Sequence, residues 1–100
     1  MAKRGVEVWF VYILRCADGT LYTGITKDLA RRTQQHNAGT ASRYTRSRRP
    51  VKLVYQEPQR GQSLALKREA AIKKLTRRQK LALIPGANEG TPKNRRPRKR

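Results

Sequence analysis

Residues 7–16 and 20–25 read EVWFVYILRC and TLYTGI, joined by Ala17-Asp18-Gly19. The first run is dense in β-branched and aromatic side chains, which predicts a central strand. Asp-Gly between two such runs is a strong hairpin signal, since a tight turn needs a positive φ that glycine takes readily. In the returning strand Leu21, Thr23 and Ile25 alternate against Tyr22 and Gly24. A glycine inside a strand has no side chain to pack and often marks a close approach by a ligand or by backbone. The chain therefore opens with a hairpin, and the elements after it must cover that sheet.

Working outward, Thr26 is the expected N-cap of a helix, and Asp28 suits the positive end of its dipole. The helix is expected to reach about His36 and to stop at Asn37-Ala38-Gly39. Residues 40–50 (TASRYTRSRRP) read as a basic connection. Residues 51–57 (VKLVYQE) alternate Val51, Leu53 and Tyr55 against Lys52, Val54 and Gln56, a third strand, with a turn at 58–61. Ser63 is the expected N-cap of a helix over 64–75. Thr76-Arg77-Arg78-Gln79 has the capping-box form and opens a short third helix that ends before Pro85. The fold class predicted is α+β, a small three-stranded antiparallel sheet with helices packed on it, in the order β-β-α-β-α-α. Residues 1–84 form the domain. Residues 85–100 hold three prolines, two glycines and no large apolar side chain, so a disordered basic tail is expected there.

Charge narrows the function classes. The 100 residues carry 25 Lys and Arg against 6 Asp and Glu, a net charge of +19. Residues 1–84 alone hold +14, a surface that repels itself and attracts phosphate backbones. The longest apolar run covers residues 8–14, far short of the ~20 residues of a spanning helix. Cys16 is the lone cysteine, which excludes an internal disulfide and a thiolate metal cluster. With no signal-peptide core and no membrane partner expected, the reading is a cytoplasmic, nucleoid-associated, polyanion-binding protein.

Several residues could carry chemistry. Tyr12 and Tyr22 lie on the two hairpin strands, either as ordinary packing aromatics or as functional hydroxyls. Arg32 and His36, four apart, project from one helix face and could grip a phosphate, the guanidinium by two prongs. Glu69 shares a helix face with Ala65 and Ile72. A carboxylate there needs a partner, either Lys73 at i+4 or a hard divalent cation held partly by water and substrate phosphate. Arg43, Arg46, Arg48 and Arg49 interleave with polar residues around Tyr44, a composition suited to phosphate contact, with Tyr44 free to stack on an unpaired base. Arg31 joins that basic set.

Together these residues resemble the GIY-YIG nuclease superfamily, and more narrowly its small single-domain bacterial type. Phe-Val-Tyr ends at Tyr12, Tyr-Thr-Gly begins at Tyr22, Arg32 lies ten further on, His36 four beyond, and Glu69 is helical. The stretch Tyr-x-Gly-Ile-Thr-x-Asp-Leu-x-Arg-Arg at 22–32 is the most specific part. Phe10 stands where the motif has Gly, and Thr23 where it has Ile. The resemblance implies a DNA endonuclease that hydrolyses phosphodiesters with one Mg²⁺ or Mn²⁺, with structure-specific cleavage and DNA repair as its setting. It implies Glu69 as metal ligand and Arg32 as the neutraliser of phosphate charge. Tyr12 would activate water, Tyr22 would position the phosphate or share that task, and His36 would join their hydrogen-bond network. A protein partner for targeting is a further expectation. The rivals are a non-catalytic nucleic-acid-binding module with the same fold and, on charge alone, a ribosome-associated protein.

Overall fold

The hairpin forms around Gly19, at φ +86°. In the computed structural model, which describes residues 7–86, β1 (Val8–Arg15) pairs antiparallel with both β2 (Leu21–Thr26) and β3 (Lys52–Arg60). The strand order is β2-β1-β3, so the apolar first run is the central strand, as its composition predicts. The helices are α1 (Leu29–Ala38), the one-turn α2 (Arg43–Arg46), α3 (Gln62–Lys73) and α4 (Arg77–Leu83). The order matches expectation, with α2 added inside the basic connection. The part of the expected tail beyond residue 86 lies outside the described residues. Among those residues no helix is long and apolar enough to cross a membrane.

Both faces of the sheet are covered. Val11 and Ile13 pack with Ala65 and Ile72 of α3, with Leu81 and Leu83 of α4 alongside. On the opposite face Tyr12, Leu14, Cys16 and Val51 pack with Leu29 of α1. This two-sided burial explains why β1 reads as a continuous apolar run.

Four local expectations need correction. The N-cap of α1 is Asp28, whose carboxylate accepts from the Arg31 N–H at 3.0 Å. Thr26 is still paired with Phe10 in the sheet, so the helix cannot begin there. β3 does not turn at 58–61 but runs through Pro58 to Arg60. It is an edge strand, where the missing proline N–H can face outward. The chain then bends at Gly61, at φ +107°, and α3 starts at Gln62 with Gly61 in the cap position, not Ser63. Finally, the alternation along β3 changes phase. Ile13 pairs with Tyr55 but Leu14 pairs with Leu53, leaving Val54 as a bulge. Val51 and Leu53 therefore face the Tyr12 side, while Val54 and Tyr55 join the α3 side. The capping box of α4 forms as read, with Thr76 and Gln79 exchanging both bonds.

Candidate active site

Tyr12 lies directly opposite Gly24 in the β1–β2 ladder. Its hydroxyl is 2.9 Å from Nε2 of His36, which α1 projects onto the sheet. The other imidazole nitrogen, Nδ1, is 2.7 Å from Oγ1 of Thr45 on α2. The Thr45 hydroxyl proton has the Ser42 carbonyl as its acceptor, at 3.4 Å. In the tautomer that keeps the proton on Nδ1, Nδ1–H donates to Thr45, and Nε2 carries a lone pair that accepts from the Tyr12 hydroxyl. All three side chains are buried.

Burial sets the protonation states. It lowers the His36 pKa below its usual 6.5, and the Arg32 guanidinium lowers it further, so the imidazole is neutral at neutral pH. Tyr12 is pushed up to about 12, first by burial, then by Tyr22 and, more weakly, by Glu69. Arg32 pulls the other way, in the direction its charge predicts, but burial outweighs it. Tyr12 is thus a firmly protonated phenol aimed at a neutral imidazole.

Arg32 stands one turn before His36, half-buried, with Nε donating to Oε1 of Gln35 at 3.0 Å. Tyr22 packs by its ring, 5.1 Å between centroids from His36, 6.4 Å from Tyr12 and 5.7 Å from Tyr44. The structure thus brings Tyr12, Tyr22, Arg32 and His36 into one cluster. Glu69 comes from α3, across the sheet, and its charge is felt at the Tyr12 hydroxyl. Its side chain is 18% exposed and its Oε2 lies 3.4 Å from Lys73 Nζ, the i+4 ion pair weighed from sequence. An ion pair on the preceding residue, Arg68 Nε to Glu57 Oε2 at 2.9 Å, ties α3 to β3.

Among the described residues no three His, Cys, Asp or Glu side chains converge as a metal cage. The donor set is a single carboxylate beside a cluster suited to phosphate. That fits Mg²⁺, which keeps several waters and takes one or two carboxylates plus substrate oxygens. It does not fit zinc, which wants three or four nitrogen or sulfur donors.

The basic residues divide into two groups. Arg31, Arg43 and Arg46 are exposed and present their charge outward. Arg48 and Arg49 are structural ties. The Arg48 guanidinium stacks 3.9 Å from the Tyr44 ring centroid, donates to Asp18 at 3.1 Å and bonds the Tyr44 carbonyl at 2.8 Å. Arg49 bonds the Arg46 carbonyl at 2.8 Å. Tyr44 is therefore sandwiched between Arg48 and Tyr22, not free as its sequence context suggests. Sequence reasoning missed Thr45. Ser42, whose hydroxyl accepts from the Tyr44 N–H at 3.1 Å, is the cap signal that could have revealed α2. Nothing local marks Thr45 itself, since its partner is nine residues away.

A family model described as the GIY-YIG catalytic domain matches residues 8–82, from β1 through nearly all of α4. The chain belongs to the GIY-YIG family. Within that family it is similar to a UPF0213 protein of Desulfotalea psychrophila, 57% identical over 83 residues, which cover 82% of this chain and 76% of the relative. A UPF0213 protein of Staphylococcus aureus is 56% identical over 75 residues, 75% of this chain and 92% of the relative. The solution NMR structure of a UPF0213 protein of Bacillus halodurans superposes with a TM-score of 0.51 at 39% identity, over 85% of this chain and 88% of that one. An NMR structure from E. faecalis gives 0.50 at 42% identity, over 78% and 80%. The fold of this chain, a three-stranded antiparallel sheet with helices, is thus similar to that of these two NMR structures.

Proposed function

We propose that the protein is a metal-dependent endonuclease that hydrolyses phosphodiester bonds in DNA, with the nucleoid of the cytoplasm as its substrate pool. The observation that carries this reading is the relay from Tyr12 through His36 to Thr45, set beside Arg32. Attack of water on phosphorus needs an acceptor for the water proton. Tyr12 can take that proton on its oxygen as it passes its own to Nε2 of His36. The imidazolium so formed keeps its Nδ1–H on Thr45. Burial and Arg32 disfavour that cation in the resting protein. Negative charge gathering on the phosphate offsets the field of Arg32, so protonating His36 becomes easier as the transition state develops. Tyr22 orients the imidazole by edge contact and borders the phosphate position. Arg31, Arg43 and Arg46 hold the flanking backbone.

Glu69 would hold the Mg²⁺ or Mn²⁺, which when bound supplies Lewis-acid charge at the scissile phosphate and the leaving oxygen. One observation favours the rival reading of a non-catalytic binding module. Lys73 already pairs with the Glu69 carboxylate, and a cation must displace it. That exchange is easy if the pair is worth the usual ~1 kcal/mol or less of an i,i+4 bridge.

Supercoiled, branched and single-stranded DNA incubated with Mg²⁺ or with chelator decides between them. The parent protein is expected to cut only with metal. Tyr12→Phe keeps the ring and is expected to lose about 10²-fold in rate. Glu69→Gln is nearly isosteric, should fold and bind DNA at least as tightly, and should cut at background at every Mg²⁺ concentration that supports the parent. A parent protein that binds all three substrates and cuts none establishes the binding module. Parental cutting by Glu69→Gln removes this residue from the metal site.

A further inference from the structure

Outside the tyrosine–histidine cluster, one cleft combines aromatic, cationic and hydrogen-bonding walls. It encloses about 340 Å³ between the start of β1 and the first turns of α1. Trp9 forms one wall, and Lys27, Arg31 and Arg32 line it with cations. Asp28 and Gln35 complete it. Arg32 also belongs to the candidate active site, where its charge acts on both Tyr12 and His36. The cleft thus begins at the proposed phosphate position and leads away from it to Trp9.

Each wall has a definite chemical character. Trp9 is half-buried and packed against the core on the α3 side, so its ring is held in place. Lys27 Nζ stands 5.6 Å from the ring centroid, so one π face of Trp9 is turned toward a flexible, exposed side chain that a stacked base would displace. Among the described residues the other partner of Lys27 is Glu7, at 3.2 Å on the exposed rim, a contact that solvent screens. Gln35 points its carbonyl oxygen at Arg32, which leaves its amide N–H groups as donors. Asp28 accepts from the Arg31 N–H and retains acceptor capacity for an amino or imino group. The volume is at the lower end of pockets that enclose a small ligand, about 300 to 1,000 Å³, enough for one nucleotide and too little for a stacked base pair.

We propose that this cleft is a nucleotide subsite. It receives the unstacked nucleotide next to the scissile phosphate, stacks its base on Trp9 and holds its outer phosphate with Lys27 and Arg31. The assignment rests on the phosphodiesterase reading of Arg32 and Tyr12. In an intact duplex both faces of a base are covered by neighbours, so Trp9 is reached only where stacking is broken. Single strands, frayed ends, gaps and branch points meet that condition. Cationic charge alone distinguishes none of them, whereas an aromatic wall does.

Trp9 is the chain's single tryptophan, so its fluorescence reads the cleft directly. The full chain is titrated, in chelator, with a thymidine hexanucleotide and with an abasic hexanucleotide carrying the same phosphates. Saturable quenching is expected with the thymidine strand, which should bind roughly tenfold or more tighter. The abasic strand should bind by charge and leave the emission nearly unchanged. Equal quenching by both strands, or none by the thymidine strand, overturns the subsite. A 5-iodouracil strand should photo-crosslink to the peptide containing Trp9, and crosslinking confined to Tyr44 also overturns it. No cleavage is measured, so the outcomes separate. Base-specific quenching in a protein that never cuts DNA keeps the subsite and removes the nuclease, and cutting without base-specific quenching does the reverse.

Discussion

The tip of the Tyr12 phenol lies against Gly24. A Cβ built on Gly24 would stand 2.6 Å from the Tyr12 hydroxyl oxygen and 2.7 Å from Cζ. The close approach that a strand glycine signals is here made by a neighbouring side chain. Tyr12 is itself almost fully buried, so its ring cannot swing aside cheaply. Gly24→Ala is expected to cost about 1 to 3 kcal/mol in stability, as overpacking does, and to break the bond to His36. Thermal denaturation and the cleavage rate measure the two effects. A variant with parental values in both shows that the ring has room to move.

Thr45→Val keeps the shape and removes the acceptor for His36 Nδ1–H. A buried donor without a partner costs about 1 to 3 kcal/mol, and the imidazole regains the freedom to move its proton to Nε2, where it can no longer accept from Tyr12. Cleavage should fall more than DNA affinity does, and Thr45→Ser should restore it. The ¹⁵N shifts of the imidazole report the tautomer directly. An unchanged tautomer in Thr45→Val would remove the positioning role.

The pH dependence of stability has two arms. His36, the only histidine, has its pKa held below 6.5 by burial and then by Arg32. The unfolded chain therefore takes up a proton before the folded protein does. The stabilisation is complete above pH 6.5 and is lost as pH falls through the folded value. Tyr12, raised from 10.0 to about 12, gives the opposite arm, intact below pH 10 and declining as pH rises through 12. Melting temperatures should drop on going from about pH 7 to about pH 5, and His36→Gln should flatten that slope. An equal slope in the variant would place the titration elsewhere.

Arg32→Lys keeps the charge and loses the planar fork. Bulk DNA affinity should hardly change, because the remaining Lys and Arg side chains still supply the electrostatic attraction. Turnover should fall, by about tenfold or more if two bonds to one phosphate are lost. Equal losses in binding and turnover would place Arg32 in the general electrostatic footprint.

Strands, helices and the central place of β1 were legible because each rests on short-range pattern: the apolar run at 8–14, Asp18-Gly19, Gly39 and the Thr76–Gln79 box. The cluster of Tyr12, Tyr22, Arg32 and His36 was legible through spacing and family resemblance. What escaped depends on contacts distant in sequence. Val54 bulges because β1 and β3 slip by one residue between Ile13 and Leu14, and no alternation pattern carries that. Thr26 reads as a cap until its pairing with Phe10 is known. Thr45 hides among arginines whose charge dominates the composition of that stretch. Arg48 looks like every other phosphate contact until Asp18, thirty residues earlier, is found beside it.

A four-residue helix cannot support itself in water, so α2 holds its shape only through what it is tied to. Its ties run through Thr45 to His36 on α1, and through Arg48 to Asp18 and from the Ala17 N–H to the Arg48 carbonyl at 2.9 Å, the last two on the hairpin turn. The turn and the imidazole proton are consequently linked quantities. Loosening Asp18 lowers the occupancy of the docked loop, and with it the fraction of molecules in which Thr45 faces His36. The β1–β2 turn, which touches none of the reacting groups, thereby acts as a thermodynamic tether on the protonation geometry at the far end of the loop.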